Sequence, residues 1–177
     1  MPQHLLEPLF ANAPVTMATA KRLRRLCGVS RTAATARLPA LSRAPSLFVR
    51  HAADKATWIE RSPALGAWTL LDGISRGSSA FSLIETNTYT FGPEPLRADV
   101  WFEGPGVERY VVVEDSTYCD GSVYTLLECV GRVGEVPTTV APRDPEATVI
   151  EYRKGRPPRY RRSRTAPRTG GPAGCRA

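Results

Sequence analysis

The sequence predicts an all-β domain of small α content: a five-stranded barrel with one short helix between strands three and four, flanked by disordered tails. Three observations predict it. Five runs rich in aromatic and β-branched residues lie between residues 66 and 153, separated by Gly- and Pro-containing breaks. Charge divides the chain into three. Residues 1–53 carry eight Lys/Arg and one acid, Glu7; residues 54–152 carry seven Lys/Arg and sixteen acids; residues 153–177 carry nine Lys/Arg and no acid. No apolar run approaches the roughly 20 residues of a membrane span. The domain boundaries expected are therefore 1–53, 54–152 and 153–177, with an acidic fold in the middle.

The elements follow in order. "GAWTLLDGIS" (66–75) is apolar and ends at a Gly-containing turn, and "AFSLIETNTYTF" (80–91) is long and rich in β-formers. "ADVWFEG" (98–104) is short and stops at glycine. In "PGVERYVVVEDSTYC" (105–119), Val107, Tyr110, Val111, Glu114 and Tyr118 fall on one helical stripe, which predicts the helix. The Val-Val-Val triplet favours a strand instead, which would make a hairpin with the next run and suit a β-sandwich. "SVYTLLECVGRV" (122–133) follows the turn signal "CDGS", and "ATVIEYR" (147–153) alternates behind a Pro-rich loop. The neighbouring acids Glu114 and Asp115 fit a solvated face.

From Met17 the chain reads "MATAKRLRRLCGVSRTAATARLPALSRAPSLFVRHAAD", with no acid before Asp54. Leu23, Leu26, Val29 and Ala33 share a helical face, and Lys21, Arg22, Arg24, Arg25 and Arg31 supply positive charge. Amphipathic, Arg- and Ser-rich and acid-poor is the description of a mitochondrial or plastid transit peptide, with a processing point near residues 50–53. The alternative is a disordered basic arm that binds nucleic acid in place. Four cysteines without a CxxC, and two histidines (His4, His51) away from any Cys pair, predict reduced thiols and no metal site.

The order β, β, β, (α), β, β is the plan of the OB-fold. Three stretches carry a resemblance to a family with that plan. They are Phe81-Ser82-Leu83 with Thr86-Asn87, then Asp99-Val100-Trp101-Phe102-Glu103-Gly104, then Asp120-Gly121-Ser122-Val123-Tyr124 continuing to Cys129-Val130-Gly131-Arg132-Val133. Over about 90 residues the chain resembles bacterial and mitochondrial single-stranded-DNA-binding proteins. Similar OB domains occur in the mitochondrial RNA-editing proteins of kinetoplastids. The resemblance implies stacking of bases on second- and third-strand aromatics, which by position are Tyr89, Phe91 and Trp101. The chain departs from the family in its DNA-facing strands, which hold Arg97, Arg132 and few other cations.

A polyanion's affinity is largely its phosphate term, and the acidic core has little to offer it. The tail "YRKGRPPRYRRSRTAPRTGG" has more, through Arg153, Lys154, Arg156, Arg159, Arg161, Arg162 and Arg164, with Arg168 beyond. No P-loop, GxGxxG after a strand, HExxH, nucleophile elbow or zinc-deaminase signature is present, so no enzyme and no cofactor is expected. The expected function is a mitochondrial-matrix OB-fold protein that binds single-stranded RNA or DNA, RNA preferred, within a nucleoprotein complex. The alternative is a structural adaptor between protein subunits of such a complex, an RNA-editing assembly or a ribosome, with strand edges available for homo- or hetero-oligomers. No membrane partner is expected.

Overall fold

The computed structural model describes residues 3–52, 55–86, 92–119 and 121–136. The chain is mostly β, built on an antiparallel sheet of five strands with a few helices. Three helices come first: α1 (Gln3–Phe10), α2 (Met17–Cys27) and α3 (Arg31–Leu41). Then come β1 (Ser46–Ala52), β2 (Lys55–Arg61), β3 (Thr69–Leu70), helix α4 (Ser79–Thr86), β4 (Glu94–Arg97), β5 (Phe102–Glu103), β6 (Tyr110–Cys119) and β7 (Ser122–Arg132). The main sheet has the order β2-β1-β7-β6-β4, every pair antiparallel, while β3 and β5 make a separate two-stranded sheet. With β2 at one edge and β4 at the other, the described residues form an open sheet and no closed barrel.

The sheet is the middle of three layers. Leu47 and Val49 of β1, with Val123 and Leu127 of β7 and Val112 of β6, face a cluster completed by Ala80 and Leu83 of α4, by Leu96, and by Val100, Trp101 and Phe102. Phe48, Tyr124 and Leu126 face the other way, onto Leu6 and Phe10 of α1, Leu23 of α2 and Leu38 and Leu41 of α3. Covering both faces explains why β1 opens with four buried residues, Ser-Leu-Phe-Val, and β7 with six. A strand that faces core on both sides loses the polar alternation of a half-exposed one.

Residues 3–52, where an address or a basic arm was expected, form α1, α2, α3 and the inner strand β1. Cutting near residues 50–53 would remove that strand. Other expectations need correction. The run 80–91 was expected as a strand, yet its described part is α4, because capping outweighs local β-propensity. Ser78 Oγ accepts the Phe81 N–H (3.1 Å) and Glu114 accepts the Ala80 N–H (2.7 Å). The stripe at 105–119 is no helix apart from a single 3-10 turn at Val107–Arg109. The valine triplet prevails, and β6 and β7 form the hairpin, with Val130 as a bulge between the pairs Val111↔Gly131 and Val112↔Cys129. The run 66–75 reduces to the two residues of β3, and 98–104 to a 3-10 turn and β5. The run at 147–153 lies outside the described residues.

Candidate nucleic-acid interface

Of the residues expected to touch nucleic acid, Tyr89 and Phe91 lie outside the described residues, as do Arg153, Lys154, Arg156, Arg159, Arg161, Arg162 and Arg164. Trp101 is corrected from stacking platform to core. It is fully buried, and its Nε1–H donates to Glu114 Oε2 at 2.7 Å. The carboxylate it meets is surrounded by donors. Oε1 accepts from the Ala80 N–H and from Ser116 Oγ, both at 2.7 Å. Burial pushes the Glu114 carboxyl above its usual range, against the pull of these donors. Glu114 thus works as a structural anchor at the start of α4.

Arg97 and Arg132 do come to the same end of the sheet, across β4, β6 and β7. Their surroundings answer their charge. Arg97 forms a two-point pair with Asp99 (Nε–Oδ1 3.2 Å, Nη2–Oδ2 2.9 Å). The exposed Arg132 lies over the Tyr110 ring, and its backbone N–H donates to Glu135 Oε2. With Glu108 beside Arg109 as well, this end is mixed in charge and offers no cationic track.

A cationic surface exists elsewhere, on the helical layer. α2 begins at Thr16, whose Oγ1 accepts the Thr19 N–H, and ends at Gly28 in the left-handed region (φ 65°). α3 begins at Ser30, whose Oγ accepts the Ala33 N–H. Two 11-residue helices are thus joined by a three-residue turn, Gly28-Val29-Ser30. α2 buries Ala20 and Leu23 and leaves Lys21, Arg22, Arg24 and Arg25 exposed. Arg31 and Arg37 of α3 and the following Arg43 are exposed too.

None of these seven cations makes an ion pair among the described residues. Arg22 lies over the Phe10 ring (5.2 Å), Arg31 donates to Cys119 Sγ (3.2 Å), and Arg37 donates to Gln3 Oε1 (3.3 Å). Lys21, Arg24, Arg25, Gly28 and Val29 line an open hollow of about 450 Å³ at the C-terminal end of α2. Cations in the last turn also offset the negative end of the helix dipole, but Lys21 and Arg22 lie further back and Arg31 lies beyond the turn.

No protein-family model matches the chain, and no curated protein matches it.

The layer is held to the sheet by acids. Asp115 Oδ2 accepts the Met17 N–H at 2.7 Å, and Glu128 Oε2 accepts the Val15 N–H at 2.8 Å. Burial raises both carboxyls from their usual range. Glu114 and Asp115, expected on a solvated face, are both buried, and as neighbours on a strand they serve opposite layers. Among the described residues no group of His, Cys, Asp and Glu is placed to hold a metal ion. No described helix is long and apolar enough to cross a membrane.

The signal for the helical pair was present in the sequence. Thr16, Gly28 and Ser30 are a cap, a stop and a second cap at the spacing of two helices. The Arg-rich, acid-poor composition masked it, because an address has the same composition.

Proposed function

We propose that the chain binds nucleic acid through the basic face of α2 and α3, with the Arg-rich segment 153–177 as a second cationic element. The observation that carries the reading is the set of exposed cations, Lys21, Arg22, Arg24, Arg25 and Arg31, on two capped helices without a neutralising acid. Phosphate contacts need such charge. Nucleic acid stays the partner, and the contact moves from sheet aromatics to helices. Duplex is favoured over single strand, because a short-turned helix pair suits a groove and Trp101 is not available for stacking. A closed OB-type barrel would need residues outside those described to join β2 to β4, and the proposal does not depend on one. Residence in the mitochondrial matrix fits this reading only with an address that leaves β1 in place.

The test is a fluorescence-anisotropy titration of labelled duplex DNA, poly-dT and poly-U, at several salt concentrations. It compares the intact chain, a chain lacking 153–177, and the triple variant Lys21→Glu, Arg24→Glu, Arg25→Glu. The expected result is tightest binding to duplex and a salt slope shallower by about 0.9 for each phosphate that the triple variant no longer neutralises. Equal binding by the intact chain and the triple variant would overturn the reading. The adaptor reading draws support from the edge strand β2, where Trp58 and Ile59 are exposed. No binding by the intact chain would turn the search to a protein partner there.

A further inference from the structure

Cys27 is the last residue of α2 and Cys119 the last of β6. Both are half-buried, neither is in a disulfide among the described residues, and both pack against the same apolar cluster between the helical layer and the sheet. The two elements start together, where the Met17 N–H donates to Asp115. From Met17 to Cys27 a helix rises about 15 Å, and from Asp115 to Cys119 a strand advances about 13–14 Å. Arg31, which opens α3 just across the three-residue turn from Cys27, donates from Nη1 to Cys119 Sγ (3.2 Å), so the end of α2 and the end of β6 meet the same corner of the fold.

We propose that Cys27 and Cys119 are an oxidation site, closing to a disulfide when the protein meets a hydroperoxide. The guanidinium N–H donated to Cys119 Sγ sets a positive charge beside the sulfur, whose thiolate is the nucleophilic form. That thiolate attacks a peroxide oxygen and breaks the O–O bond. Cys119 becomes a sulfenic acid, and the departing oxide leaves as water or alcohol once protonated. The Cys27 thiol then attacks the sulfenic sulfur, forming the S–S bond. The displaced hydroxide takes the Cys27 proton and leaves as water. Two thiols have given up two electrons and two protons, and the peroxide has accepted both. Cys129 projects into the cluster on the opposite face of the sheet and cannot substitute for either partner. The product ties the C-terminal end of α2 to the tip of the β6–β7 hairpin.

The test uses the intact chain, reduced and then exposed to graded hydrogen peroxide, alkylated, digested without reductant and mapped by mass spectrometry. The expected result is a dithiothreitol-sensitive cross-linked peptide joining Cys27 to Cys119. It persists in Cys129→Ser and Cys175→Ser and is lost in Cys27→Ser and Cys119→Ser. Arg31→Met slows its formation several-fold while the circular-dichroism spectrum stays unchanged. Oxidation of both thiols to sulfinic or sulfonic acids without the cross-link would overturn the proposal, as would a linkage that uses Cys129 in place of either residue. The wild-type map decides the matter even if a serine variant fails to fold.

Discussion

His51 shows how one residue sets the acid response. It is 3% exposed, both ring nitrogens lack a hydrogen-bond partner among the described residues, and its ring lies 5.9 Å from that of Trp101. Burial lowers its pKa from 6.5 to about 4. The folded state therefore binds fewer protons than the unfolded one between those values, so stability falls as the pH drops from about 6.5 to about 4. A shift of that size corresponds to roughly 3 kcal/mol. Glu114, Asp115 and Glu128 act in the opposite sense. Their raised carboxyls favour the folded state once the pH falls through their folded values. His51→Leu removes the first effect and keeps the second. Urea unfolding at pH 7 and pH 4.5 should show a smaller acid loss in the variant than in the wild type, and equal losses would refute this account. Trp101→Phe is a second test at this scale. Losing the Nε1–H that serves Glu114 should cost about 1–3 kcal/mol, and nucleic-acid affinity of the folded variant should stay unchanged. A stacking role would predict the reverse.

At the scale of elements, Glu114 and Asp115 are two consecutive residues that each start a helix on a different face. One receives the Ala80 N–H of α4, the other the Met17 N–H of α2. Asp115→Ala should therefore loosen α2, costing about 1–3 kcal/mol and speeding amide exchange in residues 17–27 before that of β7. Uniform exchange across both elements would contradict this. Gly28 offers a purely conformational test. A side chain there would meet nothing within 4 Å, yet the backbone is left-handed. Gly28→Val should cost about 1–3 kcal/mol through strain, and Gly28→Asn much less. The elements also show what could be read in advance. β7 was legible because its run is long and follows a strong turn. β6 was ambiguous because a helical stripe and a valine triplet coexist in it. α4 was misread because, beside the local cap Ser78, its buried acceptor Glu114 lies 34 residues away.

For the whole molecule, the charge partition was legible but its meaning was not. The basic N-terminal region supplies the helical layer and β1, and the acidic middle supplies the rest of the sheet and α4, with Glu128 and Asp115 joining helices to sheet. Composition alone cannot separate a basic layer that packs from a basic leader that is discarded. The candidate site was legible as charge, since Lys21 to Arg31 stood out, but illegible as a surface until caps and buried leucines gave it a face. Residues 54–177 alone lack β1 and with it Leu47, Phe48 and Val49 of the two cores. This fragment should show no dispersed amide spectrum, whereas the intact chain should. A folded fragment would contradict the structural need for β1, an inner strand of the sheet. Its inner position, between β2 and β7, also sets a schedule. Leu47 pairs with Leu127, so a ribosome adding about 5–20 residues per second delivers the partner of β1 some 4–16 s after β1 itself. Throughout that wait β1 has β2 on one side and an open edge on the other. The newborn chain thus passes through a seconds-long window in which an apolar strand is ready to join any passing edge, and how often it survives that window will set the yield of folded protein.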